Sequence, residues 1–333
     1  MNDATIRDVA RAADVSVATV SRTLNGIDSV ALETRDRVLR VAGELDYVPH
    51  SGARALSTRR TDTIGVLLPD LHGEFFSELI RGIDLAARAQ GLHLLLSSSH
   101  GDAAEAAAAL RAMRSRVDSI ILMLPDAGGD LPAGSATGSV PMVFLGHGQS
   151  GGVSGSEHCS LAIDNYAGAL AITEHLIASG RTRIAFVAGP ADNADAGERL
   201  RGYRSAMRRP GLEERVLDGD FSEQAGRDAA RHIVAGQRPD ALFCANDMMA
   251  IGALEALKEA GVAVPQDIAL AGFDDIPIAR YVSPPLTTAA VPIAEIGRQA
   301  LECCAAAIAG RPADKLRMFN PQIVIRASSA ARS

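Results

Sequence analysis

Residues 5–26 read TIRDVARAADVSVATVSRTLNG, a stretch with the pattern of two short amphipathic helices folded around a tight turn. Thr5 offers a hydroxyl at a helix start, and Asp8 supplies the second half of a capping box that uses Asp in place of Glu or Gln. Ile6, Val9 and Ala10 then share one helical face. Ala12-Ala13-Asp14-Val15 forms the turn, with Asp14 where Gly is more usual. Ser16 is placed to cap a second helix over about Val17 to Leu24, which stops at Asn25-Gly26. Val20 and Leu24 point inward with Val9, leaving Val17, Ala18, Ser21, Arg22 and Asn25 outward. Outward residues of this kind on a second helix suit a DNA major groove. Short amphipathic helix pairs also occur without DNA, so the flanking sequence decides.

A third helix, about Leu32 to Leu45, carries Val38, Val41, Ala42 and Leu45 at core spacing and Arg35, Arg37 and Arg40 at exposed positions within reach of phosphates. After Tyr47-Val48-Pro49 comes Ser51-Gly52-Ala53-Arg54-Ala55-Leu56-Ser57, a weak helical segment in a linker. Residues 1–60 hold nine Arg and eight acids, whereas the rest holds 24 basic and 32 acidic residues, within a chain of net charge −7. Phosphate repels the acidic part, so DNA contact is expected only at the head.

The 333 residues exceed what one core accommodates, which implies a small head and a two-lobed body, and 47% hydrophobic content is ample for burial. MNDATIRD has no apolar stretch able to act as a signal peptide, and no run approaches the ~20 apolar residues that span a bilayer, so a cytoplasmic location is expected. Cys159, Cys244, Cys303 and Cys304 lack metal-ligand spacing, and adjacent cysteines cannot form an ordinary disulfide within one helix, so buried free thiols are expected. The chain has no Walker loop and no defensible catalytic triad, which argues against an enzyme of sugar or nucleotide metabolism. No cofactor and no metal are expected.

From Thr61 onward apolar strands alternate with amphipathic helices, which calls for parallel sheets with right-handed crossovers. Strands are expected at Thr63–Leu68, Leu92–Ser97, Ser119–Leu124, Val140–Leu145, Ile184–Ala188, Ala241–Cys244 and Ile268–Gly272. Helices are expected at Phe75–Gln90, Ala103–Arg116, Ala167–Ser179, Glu198–Arg208, Glu223–Ala235, Met248–Ala260 and Ile293–Ala309. Residues 126–139 and 147–157 are rich in Gly and small residues and read as surface loops.

Several motifs in order resemble the lactose-repressor (LacI/GalR) family: the opening stretch, the YVPH-x-x-ARAL linker, and later TIGVLLPDL, FCANDMMAIGAL and GFDDIPIARYVSPPLTT. The resemblance covers nearly the whole chain. It implies an α/β protein with an N-terminal helix-turn-helix head (1–48), a hinge-helix linker (49–61) and a periplasmic-binding-protein-like body (62–333) of two parallel-sheet α/β lobes. The first lobe would be about 62–163 with 291–320, and the second about 164–290 with 321–333. Their cleft would lie at the carboxyl ends of the strands.

The resemblance also implies the function: a regulator, repressor by analogy, that binds a palindromic double-stranded DNA operator as a homodimer under control of a small, carbohydrate-like effector. DNA contact would involve Thr5, Ser16 and Thr19 with Val17, Ala18, Ser21, Arg22 and Asn25, together with Ala53 and Leu56 of the hinge, Leu56 resembling the family's wedge residue. The chain ends soon after its last strand without leucine heptads, so a tetramer is not expected.

In the cleft, Arg199 matches an Arg whose guanidinium grips the effector with paired N–H donors. Asp274 would accept sugar hydroxyls, and the two would face one another across the ligand. Asn246 would donate and accept there, its neighbour Asp247 being read as a helix cap. Phe221 and either Phe75 or Phe76 match positions that stack on a ring. Asn193 and Asp195 occupy the loop before Arg199. The chain departs from the family at Gly146, where many sugar-responsive members carry Asp, at His72-Gly73-Glu74, and at Val291. Glu74, Asp195 and Asp274 sharing a cleft with one Arg disfavour an anionic ligand.

Overall fold

The computed structural model describes residues 4–24, 26, 29–47, 60–124, 140–146, 159–311 and 316–330. Two compact units divide at Asp62/Thr63.

The head unit contains α1 (Ile6–Ala12), α2 (Val17–Leu24) and α3 (Leu32–Glu44). Its core joins Val9, Ala10 and Ala13 to Val20 and to Val38, Val41 and Ala42, with Ile6, Val15, Leu24 and Tyr47 packed at its margin. The expected capping box of Thr5 and Asp8 is present at the start of α1. The Thr5 amide donates to Asp8 Oδ2 at 3.0 Å, and the Thr5 hydroxyl also donates to that oxygen, at 2.6 Å. Asp14 turns the chain with φ of 49°, a left-handed conformation that Asp tolerates better than most residues. Ser16 Oγ accepts from the Thr19 amide at 3.1 Å and so caps α2. Leu45 is not in the core: it is the C-cap of α3, past the last helical turn, and is 38% exposed.

The body contains two six-stranded sheets. The first is ordered β11-β5-β4-β3-β1-β2, from β1 (Thr63–Leu68), β2 (His93–Ser98), β3 (Ser119–Met123), β4 (Met142–Leu145), β5 (Cys159–Ile163) and β11 (Leu316–Phe319), and all its pairings are parallel. The second is ordered β12-β10-β9-β8-β6-β7, from β6 (Ile184–Val187), β7 (Arg215–Leu217), β8 (Ala241–Cys244), β9 (Ala269–Asp274), β10 (Thr287–Ala290) and β12 (Gln322–Val324). Only β12 pairs antiparallel, against β10. The chain passes between the sheets after β5, after β10 and between β11 and β12.

The strands Cys159–Ile163, Arg215–Leu217, Thr287–Ala290 and Leu316–Phe319 were not among those expected from sequence, while Gln322–Val324 is the C-terminal strand that the resemblance implied for the second lobe without giving its bounds. All five are three to five residues long; the edge strands among them are only half-buried or exposed, and the buried Cys159–Ile163 and Thr287–Ala290 include Ser or Thr, so long apolar runs do not mark them. Helices α4 (Glu74–Ala89), α5 (Ala103–Met113) and α10 (Ile293–Ile308) accompany the first sheet, and α6 (Asn165–Ala178), α7 (Ala194–Arg208), α8 (Glu223–Ala235) and α9 (Asp247–Glu259) the second. α5 ends three residues before the expected Arg116. The helices α8 and α9 cross so closely at Gly226 and Gly252 that a Cβ on either would enter the other's backbone. All four cysteines are free and buried.

Both sheets repeat the order 2-1-3-4 in their strands, so each has a switch point where successive crossovers leave in opposite directions. The loops after those strands form a crevice.

Candidate functional site

The outward face of α2 carries Val17, 42% exposed, with Ala18 and Arg22 also exposed and Thr19 and Ser21 half-buried. Thr5 and Ser16 are exposed at the starts of α1 and α2. Arg22 makes no ion pair among the described residues, so its guanidinium is available for an outside partner. On α3, by contrast, Arg40 is tied to Glu44 at 3.0 Å. Asn25, Ala53 and Leu56 lie outside the described residues.

In the body a cavity of about 360 Å³ opens at the carboxyl ends of both sheets. Phe75, Phe76, Asn193, Asp195, Arg199, Phe221, Asn246 and Asp274 all line it. Phe75 and Phe76, in the first turn of α4, stand edge to face at 5.5 Å between centroids. Glu74, at the start of the same helix, reaches the second lobe: its Oε2 accepts from the Ile278 amide at 3.1 Å. Phe221 holds φ of 71° and faces the cavity from the loop after β7.

Two of the eight are committed to the backbone. Asn193 caps α7, its Oδ1 accepting from the Ala196 amide at 2.9 Å. Asn246, not Asp247, caps α9: Oδ1 accepts from the Met249 amide and Nδ2 donates to the Phe221 carbonyl, both at 2.9 Å. Asp247 is instead the first residue of that helix, fully buried. It accepts from the Thr288 hydroxyl at 2.7 Å and the Ile276 amide at 3.0 Å, under Gly272, where a Cβ would collide with its carboxylate. Burial, then repulsion from Asp274 and Asp275, pushes its carboxyl well above the usual range.

Arg199, expected to be a free gripping group, is buried and largely engaged. Its Nε donates to Asn165 Oδ1 at 2.7 Å and its Nη1 to the Ala245 carbonyl at 2.6 Å, while the guanidinium lies 3.9 Å over the Phe273 ring. Its Nη2 is 3.3 Å from Asp274 Oδ1, so Arg199 and Asp274 meet directly instead of across a gap. Asn165, which sequence reasoning missed, relays this arrangement: its Nδ2 donates to Asp195 Oδ1 at 2.9 Å.

Asp274 ends β9 with φ of 110°, followed by Asp275 at 56°. Two consecutive left-handed acidic residues are costly backbone, the kind of strain that surrounding structure sustains at binding sites. Burial raises the Asp274 carboxyl to about 6, with the Asp195 charge adding to the rise and Arg199 opposing it. Sequence reasoning also missed Asp70, Asp220, Glu223 and Met248 in the lining. Their signal was position: they follow β1, β7 and β8, the strand ends where open sheets gather ligands.

The paired Arg and Asp, the carboxylates and the phenylalanines suit a small hydroxylated ring. The model for the lacI family of bacterial regulatory proteins matches residues 5–50, and that for a periplasmic binding protein-like domain matches residues 173–329. The chain is 34% identical to an HTH-type transcriptional repressor PurR of Aliivibrio salmonicida, over 98% of each chain. It is 36% identical to an HTH-type transcriptional regulator GalR of Salmonella typhimurium, over 98% of this chain and 96% of the relative. Among solved structures it resembles the lac repressor dimer bound to operator and the anti-inducer ONPF, at 28% identity and a TM-score of 0.86, covering 99% of this chain and 100% of that one. A complex of the regulator CelR with cellobiose is similar at 30% identity and a TM-score of 0.72, over 98% and 99% of the two chains. The chain belongs to the lacI family of bacterial regulatory proteins and is a DNA-binding transcriptional regulator, not an enzyme.

Proposed function

We propose that this regulator is a repressor that binds a palindromic operator as a homodimer and is controlled by a small carbohydrate-like effector in the cleft of the body. The head (1–48) reads bases through Val17, Ala18 and Arg22, while Thr5, Ser16, Thr19, Ser21 and Asn25 contact the backbone or base edges nearby. The linker (49–61) supplies Ala53 and Leu56 to the minor groove, Leu56 as the wedge at the central step. The two lobes, 62–163 with 291–320 and 164–290 with 321–333, enclose the effector. The protein works in the cytoplasm, where its DNA is; no helix among the described residues is long and apolar enough to cross a membrane.

The observation that carries this reading is the pairing, in one chain, of an unengaged Arg22 on the exposed face of α2 with a polar and aromatic cavity at the strand ends of the body. Effector binding that changes lobe orientation changes the spacing of the two hinges, so the affinities for effector and operator are linked reciprocally. A thermal-shift screen of sugars, sugar derivatives and nucleosides tests the cleft, because a ligand of the folded state raises the melting temperature by mass action. A hit whose shift vanishes in Arg199→Ala and Asp274→Ala supports the reading. A hit that is unchanged in both variants contradicts it.

A further inference from the structure

The walls of the cleft come from different lobes. Phe75 and Phe76 stand in the first turn of α4, beside the first sheet, whereas Arg199 and Asp274 belong to the second. The chain joins these walls by a bond of its own. Glu74, the first residue of α4, accepts from the Ile278 amide at 3.1 Å through Oε2, between residues 204 apart in sequence.

Both partners sit where such a bond has leverage. Ile278 is the second residue of a short 3-10 helix, Pro277–Arg280, whose first residue has no N–H. Its amide is therefore the first donor of that helix, and donors at a helix start have no partner within the helix. The helix follows directly on Asp274, Asp275 and Ile276, and the Ile276 amide is tied down by Asp247. A restraint on Ile278 is thus a restraint on the segment that carries Asp274. On the other side of the bond, the two residues after Glu74 are the cleft phenylalanines. The contact lies at the rim: Glu74 is half-buried and lines the cavity, and Ile278 is 39% exposed. Water competes for both partners at a rim, so a hydrogen bond to a charged acceptor there shifts an opening equilibrium by about tenfold, enough to bias the lobes and too little to lock them.

Resting on the reading of this cavity as the effector site, we infer that Glu74 is a latch between the lobes: its bond to the Ile278 amide holds the phenylalanines of the first lobe against the Arg199–Asp274 wall of the second, and it breaks when the cleft opens. Reach is what the role requires, since the carboxylate must span from one lobe to the backbone of the other.

The test needs no effector. Arg111 on α5 and His232 on α8 are exposed on different lobes, and the native cysteines are buried, so spin labels on Arg111→Cys and His232→Cys report lobe separation in the full chain. Amide hydrogen exchange over residues 275–282 gives a second readout, and melting temperatures show that each variant folds. Glu74→Ala removes the acceptor, and Glu74→Asp keeps the charge one methylene short. Each should add a second distance to the distribution and speed exchange at Ile278 about tenfold. Glu74→Gln, an uncharged acceptor of the same length, should recover part of that protection. An unchanged distance and unchanged exchange in both Glu74→Ala and Glu74→Asp overturn the latch. So does a Glu74→Asp chain that matches the unaltered one, because charge at the helix start and not reach would then be acting. The cleft reading stands or falls separately, on the thermal-shift screen with Arg199→Ala and Asp274→Ala.

Discussion

At Asp274, burial, a neighbouring carboxylate and a guanidinium act on one carboxyl group and leave it at about 6. The unfolded chain titrates such a group near about 3.9, so between about pH 4 and pH 6 the folded state holds the extra proton. This group's stabilising contribution is therefore present below about pH 4 and is lost as the pH rises through 6. Asp274→Asn removes the titration, so across that window the variant should gain stability relative to the unaltered chain as pH rises. Parallel pH profiles of the two melting temperatures would contradict this. A ligand that donates to the ionised carboxylate should bind more weakly as pH falls below about 6, measurable by titration at pH 5 and pH 7. In the head, Arg22→Ala should cost about 1–3 kcal/mol on specific DNA and relax sequence preference, because only base contacts discriminate. Equal weakening on specific and random DNA would remove the base-reading role. Residue types at the cleft were legible because strand ends are legible, as with Asp274 after Ala-Gly-Phe. The engagement of Arg199 was not legible: it depends on Asn165 and the Ala245 carbonyl, which only the folded chain brings beside it.

At the scale of elements, the strongest local signals lay at helix starts. Ser16 was readable as a cap, and its Oγ accepts from Thr19 as expected. Ser16→Ala should destabilise the head by about 1 kcal/mol, read from denaturant unfolding of the full chain with a probe in α2. Asn246 and Asp247 stand side by side at a helix start and both suit a cap, so sequence cannot choose between them. The choice is tertiary: Asp247 is drawn into the interior by Thr288 and Ile276, leaving Asn246 to cap. Strands with long apolar runs, such as Thr63–Leu68, announce themselves, whereas Arg215–Leu217 exists because β6 offers an edge to pair with. The α8–α9 crossing gives a sharper test. Gly226→Ala should destabilise the body by about 1–3 kcal/mol, since a methyl there meets the Met249 backbone, which cannot move aside as a side chain would. A melting temperature equal to that of the unaltered chain would mean that the crossing is looser than described.

Over the whole molecule, alternation of strand and helix patterns was enough to infer parallel sheets, and the contrast between a near-neutral head and an acidic body pointed to DNA contact at one end. The return of the chain through β11 to the first sheet was illegible as a strand, since Leu316–Phe319 is short and half-exposed, and the C-terminal β12 was expected from the resemblance alone. Those returns matter, because three chain passages join the lobes and any ligand-driven reorientation must run through them. The central claim is that cleft and head are energetically coupled. It is tested most directly by titrating the full chain onto its selected operator with and without a saturating cleft ligand, and measuring the ligand's affinity with and without operator. The expected result is a change in operator affinity matched by an equal factor in ligand affinity, about 5–150-fold. Operator affinity that stays the same at saturating ligand would contradict the account.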